Sequence, residues 1–181
     1  MNLPNKLTML RVLMIPVFLV VLLGSFLPIE TARIVAVIIF AVASATDFLD
    51  GYIARKYNLI TNFGKLMDPL ADKLLVCAAL IAMVQLGDVA PWVVILIVSR
   101  EFLITGFRTI AVEQNIVLAA SNWAKVKTAS QMIMIILVLL DIQIPTVQLL
   151  GQGLIWLAAA LTVISAVEYI AKNRNVLKDV N

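Results

Sequence analysis

The sequence predicts an all-α integral membrane protein of six transmembrane helices, with the N- and C-termini both cytoplasmic. Three observations lead there. The 181 residues are 62% hydrophobic and 14% charged, with a mean hydropathy of +1.03; a soluble domain carries about 25% charged residues and about half apolar ones. A chain of this length has too much surface for its volume to hide that composition from water. The apolar residues also gather into six stretches, at 12–27, 34–46, 74–86, 91–99, 128–140 and 146–167. Finally, with the N-terminus inside, thirteen of the fourteen lysines and arginines fall at cytoplasmic ends and Arg33 alone falls outside; positive residues are retained on the cytoplasmic side.

A spanning helix needs about 20 residues. The first and last stretches approach that length alone. The four between reach it when their charged flanks are taken as helix, which places those charges inside the spans. Turn-forming segments at 24–28, 58–62, 87–91, 113–122 and 141–145 separate the helices. One membrane domain over residues 1–181 is expected, with no sizeable extramembrane part. No small-x-small pattern follows Leu23, so the first stretch is expected to be kept rather than cleaved as a signal. Cys77 is the lone cysteine and there is no histidine, so any bound metal is expected to be held by oxygen. A net charge of +3 gives no sign of nucleic-acid binding.

The charged flanks hold the candidate chemistry. Asp47 and Asp50 close the second helix, and Asp68 and Asp72 open the third, all at one depth on the cytoplasmic side. Spacings of i, i+3 and i, i+4 put each pair on one helix face. An aspartate at the centre of a span costs about 2.5–3.5 kcal/mol, less near the interface, and like charges add repulsion. A divalent cation relieves both, and an oxygen-only donor set points to Mg²⁺ or Mn²⁺. The plain alternative is that each acid snorkels to the interface or pairs with Arg55, Lys65 or Lys73; four acids so spaced favour a functional cluster. Gly51, Ala54 and Gly64 open space beside the acids, although small residues also serve helix packing.

Cations gather on the same side. Arg100 and Arg108 end the fourth helix, about 80° apart around it, and Lys125 and Lys127 begin the fifth. Arginine grips phosphate with two parallel hydrogen bonds and lysine supplies a point charge. Alternatively these are positive-inside anchors, with Arg100 paired to Glu101. Trp92 and Trp123 fall where indoles favour headgroups. A channel or transporter using the aspartates as a cation site is the rival reading. It needs polar groups at several depths, and the outer halves of these stretches are nearly all Leu, Ile, Val and Ala.

Asp47, Asp50, Gly51, Ala54, Arg55, Gly64, Asp68 and Asp72 fit D-x2-D-G-x2-A-R-x8-G-x3-D-x3-D, eight fixed positions in 26 residues with no departure. In these residues the chain resembles the CDP-alcohol phosphotransferase family. The resemblance implies a six-helix membrane enzyme, homodimeric, in which an alcohol attacks a CDP-linked donor and CMP leaves. It implies Asp47, Asp50 and Asp68 as metal ligands and Asp72 as both ligand and general base, around two ions by two-metal logic. Asp50, Gly51, Ala54, Arg55 and Gly64 would meet the CDP donor, and Asn5, Thr8 and Arg11, on one stripe of the first helix, are candidate donor contacts that capping and anchoring explain equally well.

Three further stretches, LPNKLTMLR at 3–11, GKLMDPLADKLL at 64–75 and SREFLITGFR at 99–108, resemble a bacterial branch that uses CDP-diacylglycerol as donor and glycerol 3-phosphate as acceptor. On that likeness Arg100, Arg108, Lys125 and Lys127 would take the acceptor's phosphate, at the cytoplasmic face of a bacterial cytoplasmic membrane. Inositol phosphate, serine or phosphatidylglycerol are the alternative acceptors.

Overall fold

The computed structural model describes residues 2–57, 61–113 and 122–173, and no strand occurs among them. Six helices follow in order: α1 Leu3–Leu23, α2 Ile29–Lys56, α3 Asn62–Gln85, α4 Pro91–Glu113, α5 Asn122–Leu140 and α6 Pro145–Lys172. Each of α1 to α5 ends within about two residues of an expected turn segment, the second at Lys56 and the third at Gln85, and α2 to α5 do run on through their charged flanks. α1, α2, α5 and α6 are long and apolar enough to cross a membrane, the qualifying stretches being Pro4–Leu23, Ile29–Asp47, Trp123–Leu140 and Pro145–Lys172. α3 and α4 are 24 and 23 residues long, but Asp68, Asp72 and Lys73 interrupt the first, and Arg100, Glu101 and Arg108 the second.

Local chemistry sets the helix ends. At Gly24, which caps α1, an added Cβ would lie 2.4 Å from the Val20 carbonyl oxygen and 2.7 Å from the Phe26 ring, so only glycine fits. Thr61 caps α3 by accepting a hydrogen bond from the Gly64 amide, satisfying one of the orphan N–H groups of the first turn. The end of α3 is a Schellman motif: Gly87 takes a left-handed φ of +82°, its amide donates to Val84 and the Asp88 amide donates to Met83. Asp141 turns the chain after α5 with φ 45°. Prolines open α4 and α6, where no amide donor is needed.

The helices divide into two compact units. The first comprises Met1–Asp88 with Ile135–Ile142, the second Val89–Met134 with Gln143–Asn181. Within the first, α2 and α3 each lie along α1 and touch one another little. The buried stripe of α2 runs Ala32, Ala36, Phe40, Ala43 and that of α3 runs Gly64, Ala71, Leu75, Ala79, Ala82. Alanine and glycine at these steps let helix backbones come close, the usual means of packing helices in lipid. Within the second unit α4 packs on α6. The buried residues of α4 (Val93, Ile97, Arg100, Ile104, Phe107, Ala111) and of α6 (Gly151, Ile155, Ala158, Thr162, Ser165, Tyr169) recur every three or four residues, one stripe on each helix. Large apolar side chains such as Leu13, Val17, Ile38, Ile95 and Leu149 stay exposed, a surface suited to lipid rather than water.

At the end of α2 remote from its acids, Arg33 is buried and held in a bidentate pair with Asp88, both contacts 2.9 Å. It also donates to the Leu139 carbonyl at 3.4 Å and lies 3.9 Å from Asp141. One guanidinium thereby ties α2 to the end of α3 and the end of α5. Arg33, the lone cation assigned outside, is expected to be stabilising rather than catalytic. Arg33→Ala leaves the mostly buried Asp88 without that partner, and removal of one member of a buried pair costs about 3–5 kcal/mol. Denaturant unfolding in detergent should show a loss of that order, and Arg33→Ala/Asp88→Ala should recover part of it.

Candidate functional site

The acids expected to hold a metal belong to the first unit, and the N-terminal stripe of α1 meets two of them. Asn5, Thr8 and Arg11 recur every three residues, one stripe that continues along α1 as Phe18 and Leu22, all buried. Arg11 is fully buried; its Nη1 donates to Asp47 Oδ1 at 2.6 Å and its Nε to the Ala43 carbonyl at 3.2 Å. Thr8 donates to Asp68 Oδ1 at 2.6 Å. The Pro4 carbonyl lies 3.2 Å from the same hydroxyl; with one proton to give, the short bond to the charged oxygen is the stronger. Asn5 accepts from the Thr61 hydroxyl at 3.0 Å, and Thr61 in turn accepts from the Gly64 amide. Three α1 side chains thus fix the C-terminal part of α2 and the beginning of α3.

Gly64 is buried in this corner. A Cβ there would lie 3.2 Å from Asn5 Oδ1, 3.2 Å from Thr61 Oγ1 and 3.5 Å from Asp68 Oδ2, so a larger residue crowds the Asn5–Thr61 hydrogen bond. Asp72 follows one turn after Asp68, half-buried, and Gly51 is half-buried on α2. The side chains of Asp50, Ala54 and Arg55 lie outside the described ones. Among the described residues no three His, Cys, Asp or Glu side chains converge on one point. The donors present here are carboxylate, hydroxyl and amide oxygens, a set that suits a hard cation such as Mg²⁺ or Mn²⁺. The second oxygens of Asp47 and Asp68 accept no hydrogen bond from a described residue.

The expected cations of the acceptor pocket belong to the second unit. Arg100 and Lys127 are buried and share one oxygen of Glu101: Arg100 Nη1 donates to Oε1 at 3.1 Å and Lys127 Nζ donates to the same atom. The Nε and Nη2 of Arg100 and the Nε2 of Gln131 are buried with no acceptor among the described residues. Arg108 donates through Nε to the Tyr169 hydroxyl at 3.0 Å, and its guanidinium lies 5.5 Å from the centroid of that ring. Tyr169 meets Phe107 edge-on, ring centroids 5.9 Å apart. Lys125 is exposed, as are Trp92 and Trp123. The anchoring alternative weighed for Arg100, pairing with Glu101, is present, yet it leaves two donors of the same guanidinium over. Tyr169, which accepts from Arg108, and Gln131, one turn after Lys127, had no motif to announce them. The periodic burial of Lys127 and Gln131, one turn apart on α5, is the signal that could have found them.

The sequence matches the family model of the CDP-alcohol phosphatidyltransferases over residues 1–164. The chain therefore belongs to the CDP-alcohol phosphatidyltransferase family. Among curated relatives it is 44% identical to the CDP-diacylglycerol–glycerol-3-phosphate 3-phosphatidyltransferase of Bacillus subtilis (strain 168), over 99% of each chain. It is 41% identical to the protein of the same name from Rickettsia bellii, over 93% of each. A third, from Haemophilus influenzae, is 35% identical over 98% of this chain and 96% of its own.

Tyr169 holds Arg108 by one hydrogen bond and one ring face. Tyr169→Phe keeps the ring and removes only the acceptor, so a loss of about 1 kcal/mol in denaturant unfolding is expected. Tyr169→Leu, which removes the ring as well, should lose more.

Proposed function

We propose that the chain transfers the phosphatidyl group of CDP-diacylglycerol to sn-glycerol 3-phosphate, giving phosphatidylglycerophosphate and CMP. The observation that carries the reading is near-full-length identity of 44% to a relative that bears this reaction as its name, with the eight-residue aspartate motif intact. The protein acts as one multi-pass domain of six spans with both termini cytoplasmic, in a bacterial cytoplasmic membrane, as a homodimer. The acyl tails of the donor stay in lipid while its cytidine head and the soluble acceptor are handled at the cytoplasmic face, so nothing polar need cross.

Asp47, Asp50, Asp68 and Asp72 would hold Mg²⁺ or Mn²⁺, in two sites. Bound there, the ions offset the charge of the donor diphosphate and of the departing CMP oxygen. Asp72 accepts the proton of the acceptor hydroxyl, whose oxygen bonds to the lipid-bearing phosphorus as the bond from that phosphorus to CMP breaks. Arg55 meets the donor phosphate, and Gly51, Ala54 and Gly64 leave room for the cytidine. Arg100, Arg108, Lys125 and Lys127 are assigned to the acceptor phosphate. The two unsatisfied nitrogens of Arg100 support that assignment, since buried donors without acceptors cost free energy.

The test is CMP release from CDP-diacylglycerol by detergent-purified protein, with Mg²⁺ or chelator, against glycerol 3-phosphate, inositol phosphate, serine and phosphatidylglycerol. Release that needs both metal and glycerol 3-phosphate is expected. Release with another acceptor would keep the reaction class and change the acceptor, and no release from folded protein would return the cation-transport reading. Asp72→Asn should fold and bind CDP-diacylglycerol yet lose turnover. Arg108→Ala should raise the KM for glycerol 3-phosphate more than it lowers kcat, the mark of a group that binds ground state and transition state alike.

A further inference from the structure

Arg11 and Thr8 are among the most deeply buried polar side chains of α1, both 0% exposed. Burying such groups is unfavourable unless their donors are met, and here the acceptors are the two acid-bearing helices. Arg11 reaches α2 at Asp47 and at the Ala43 carbonyl, one turn earlier. Thr8 reaches α3 at Asp68. α2 and α3 have little contact with each other and each packs along α1, so the mutual placement of the two carboxylate pairs is set through α1. Asn5 adds a third tie, through Thr61, to the first turn of α3.

The geometry points to Thr8 and Arg11 as positioning residues for the metal-ligating carboxylates, with each donor taking Oδ1 of its aspartate and leaving Oδ2 for the cation. The inference rests on the metal reading proposed above. A carboxylate beside other carboxylates turns about its terminal bond to relieve repulsion; a charge-assisted hydrogen bond of 2.6 Å to one oxygen fixes that rotation. Outer hydrogen bonds of this kind orient metal ligands, and their removal typically weakens metal affinity about 10–100-fold. Glycine at position 64 leaves the Asn5–Thr61 tie undisturbed, since a Cβ there would come within 3.2 Å of both side-chain oxygens. On this assignment the α1 stripe serves the aspartates rather than the CDP donor.

Mn²⁺ binding to the full-length chain in detergent, without donor, tests it directly, with free Mn²⁺ read by electron paramagnetic resonance. Thr8→Val keeps the shape of the side chain and removes the hydroxyl; it should bind Mn²⁺ about 10–100-fold more weakly. Thr8→Ser should restore binding, a rescue that a packing role for the threonine methyl would not give. Arg11→Lys keeps the charge and loses the fork, so it should fall between wild type and Thr8→Val, and it keeps the test open should Thr8→Val fail to fold. Unfolding midpoints in chelator accompany each variant. Wild-type-like Mn²⁺ binding in folded Thr8→Val overturns the inference. So does intact Mn²⁺ binding with weakened CDP-diacylglycerol binding, which would return the stripe to the donor. Absence of Mn²⁺ binding in the wild type would instead bring down the metal reading itself, and this inference with it.

Discussion

Two pairs of aspartates, Asp47 with Asp50 on α2 and Asp68 with Asp72 on α3, each pair within about one turn along its helix, are the constraint around which the first unit is arranged. Each aspartate is costly in a low-dielectric setting, and neighbouring ones repel. The fold meets part of that cost without any bound group. Arg11 brings a buried positive charge to Asp47, Thr8 brings a proton to Asp68, and the Gly64 amide is tied to Asn5 through Thr61. α1 can do this because its buried stripe changes character along its length, from Asn5, Thr8 and Arg11 to Phe18 and Leu22. One helix face is a polar brace at one end and ordinary core at the other.

The remote end of the same unit has its own ionic tie. Arg33 engages Asp88 with both terminal nitrogens and lies near Asp141, which joins α2 to the turn after α3 and to the end of α5. About 21 Å of helix, at 1.5 Å per residue, separates Arg33 from Asp47 along α2. Small residues fill the interval: Ala36 and Ala43 are fully buried. The first unit is therefore pinned by charge at both ends and by close alanine packing between. In the second unit Arg100 stands inside the apolar stripe of α4, between Ile97 and Ile104, with two donors unmet among the described residues.

Much of this was legible in one dimension because membrane proteins obey strong rules. Six helices and their breaks followed from apolar stretches and from Gly24, Gly87, Pro91 and Pro145, since backbone groups in lipid must be paired within the helix. The aspartate motif was legible because intramembrane acids are too costly to be incidental, and the family it resembles is the one to which the chain belongs. Less legible were the partners. Asn5, Thr8 and Arg11 could be seen to share a stripe, but capping, anchoring and donor binding explained that stripe equally well. Tyr169 as the acceptor of Arg108, sixty-one residues away, had no signal in local spacing at all.

Composition and periodicity by themselves determined the helical class and, to within about two residues, where the helices break, because burial of backbone and charge in an apolar solvent leaves few choices. Which side chain each charge would meet was decided only by tertiary structure. Hydrogen bonds at 2.6–3.0 Å depend on the rotation and height of one helix against another, and no pattern along the chain encodes those. So the sequence showed four aspartates and a polar stripe, and the fold alone set Arg11 against Asp47, Thr8 against Asp68 and Arg33 against Asp88.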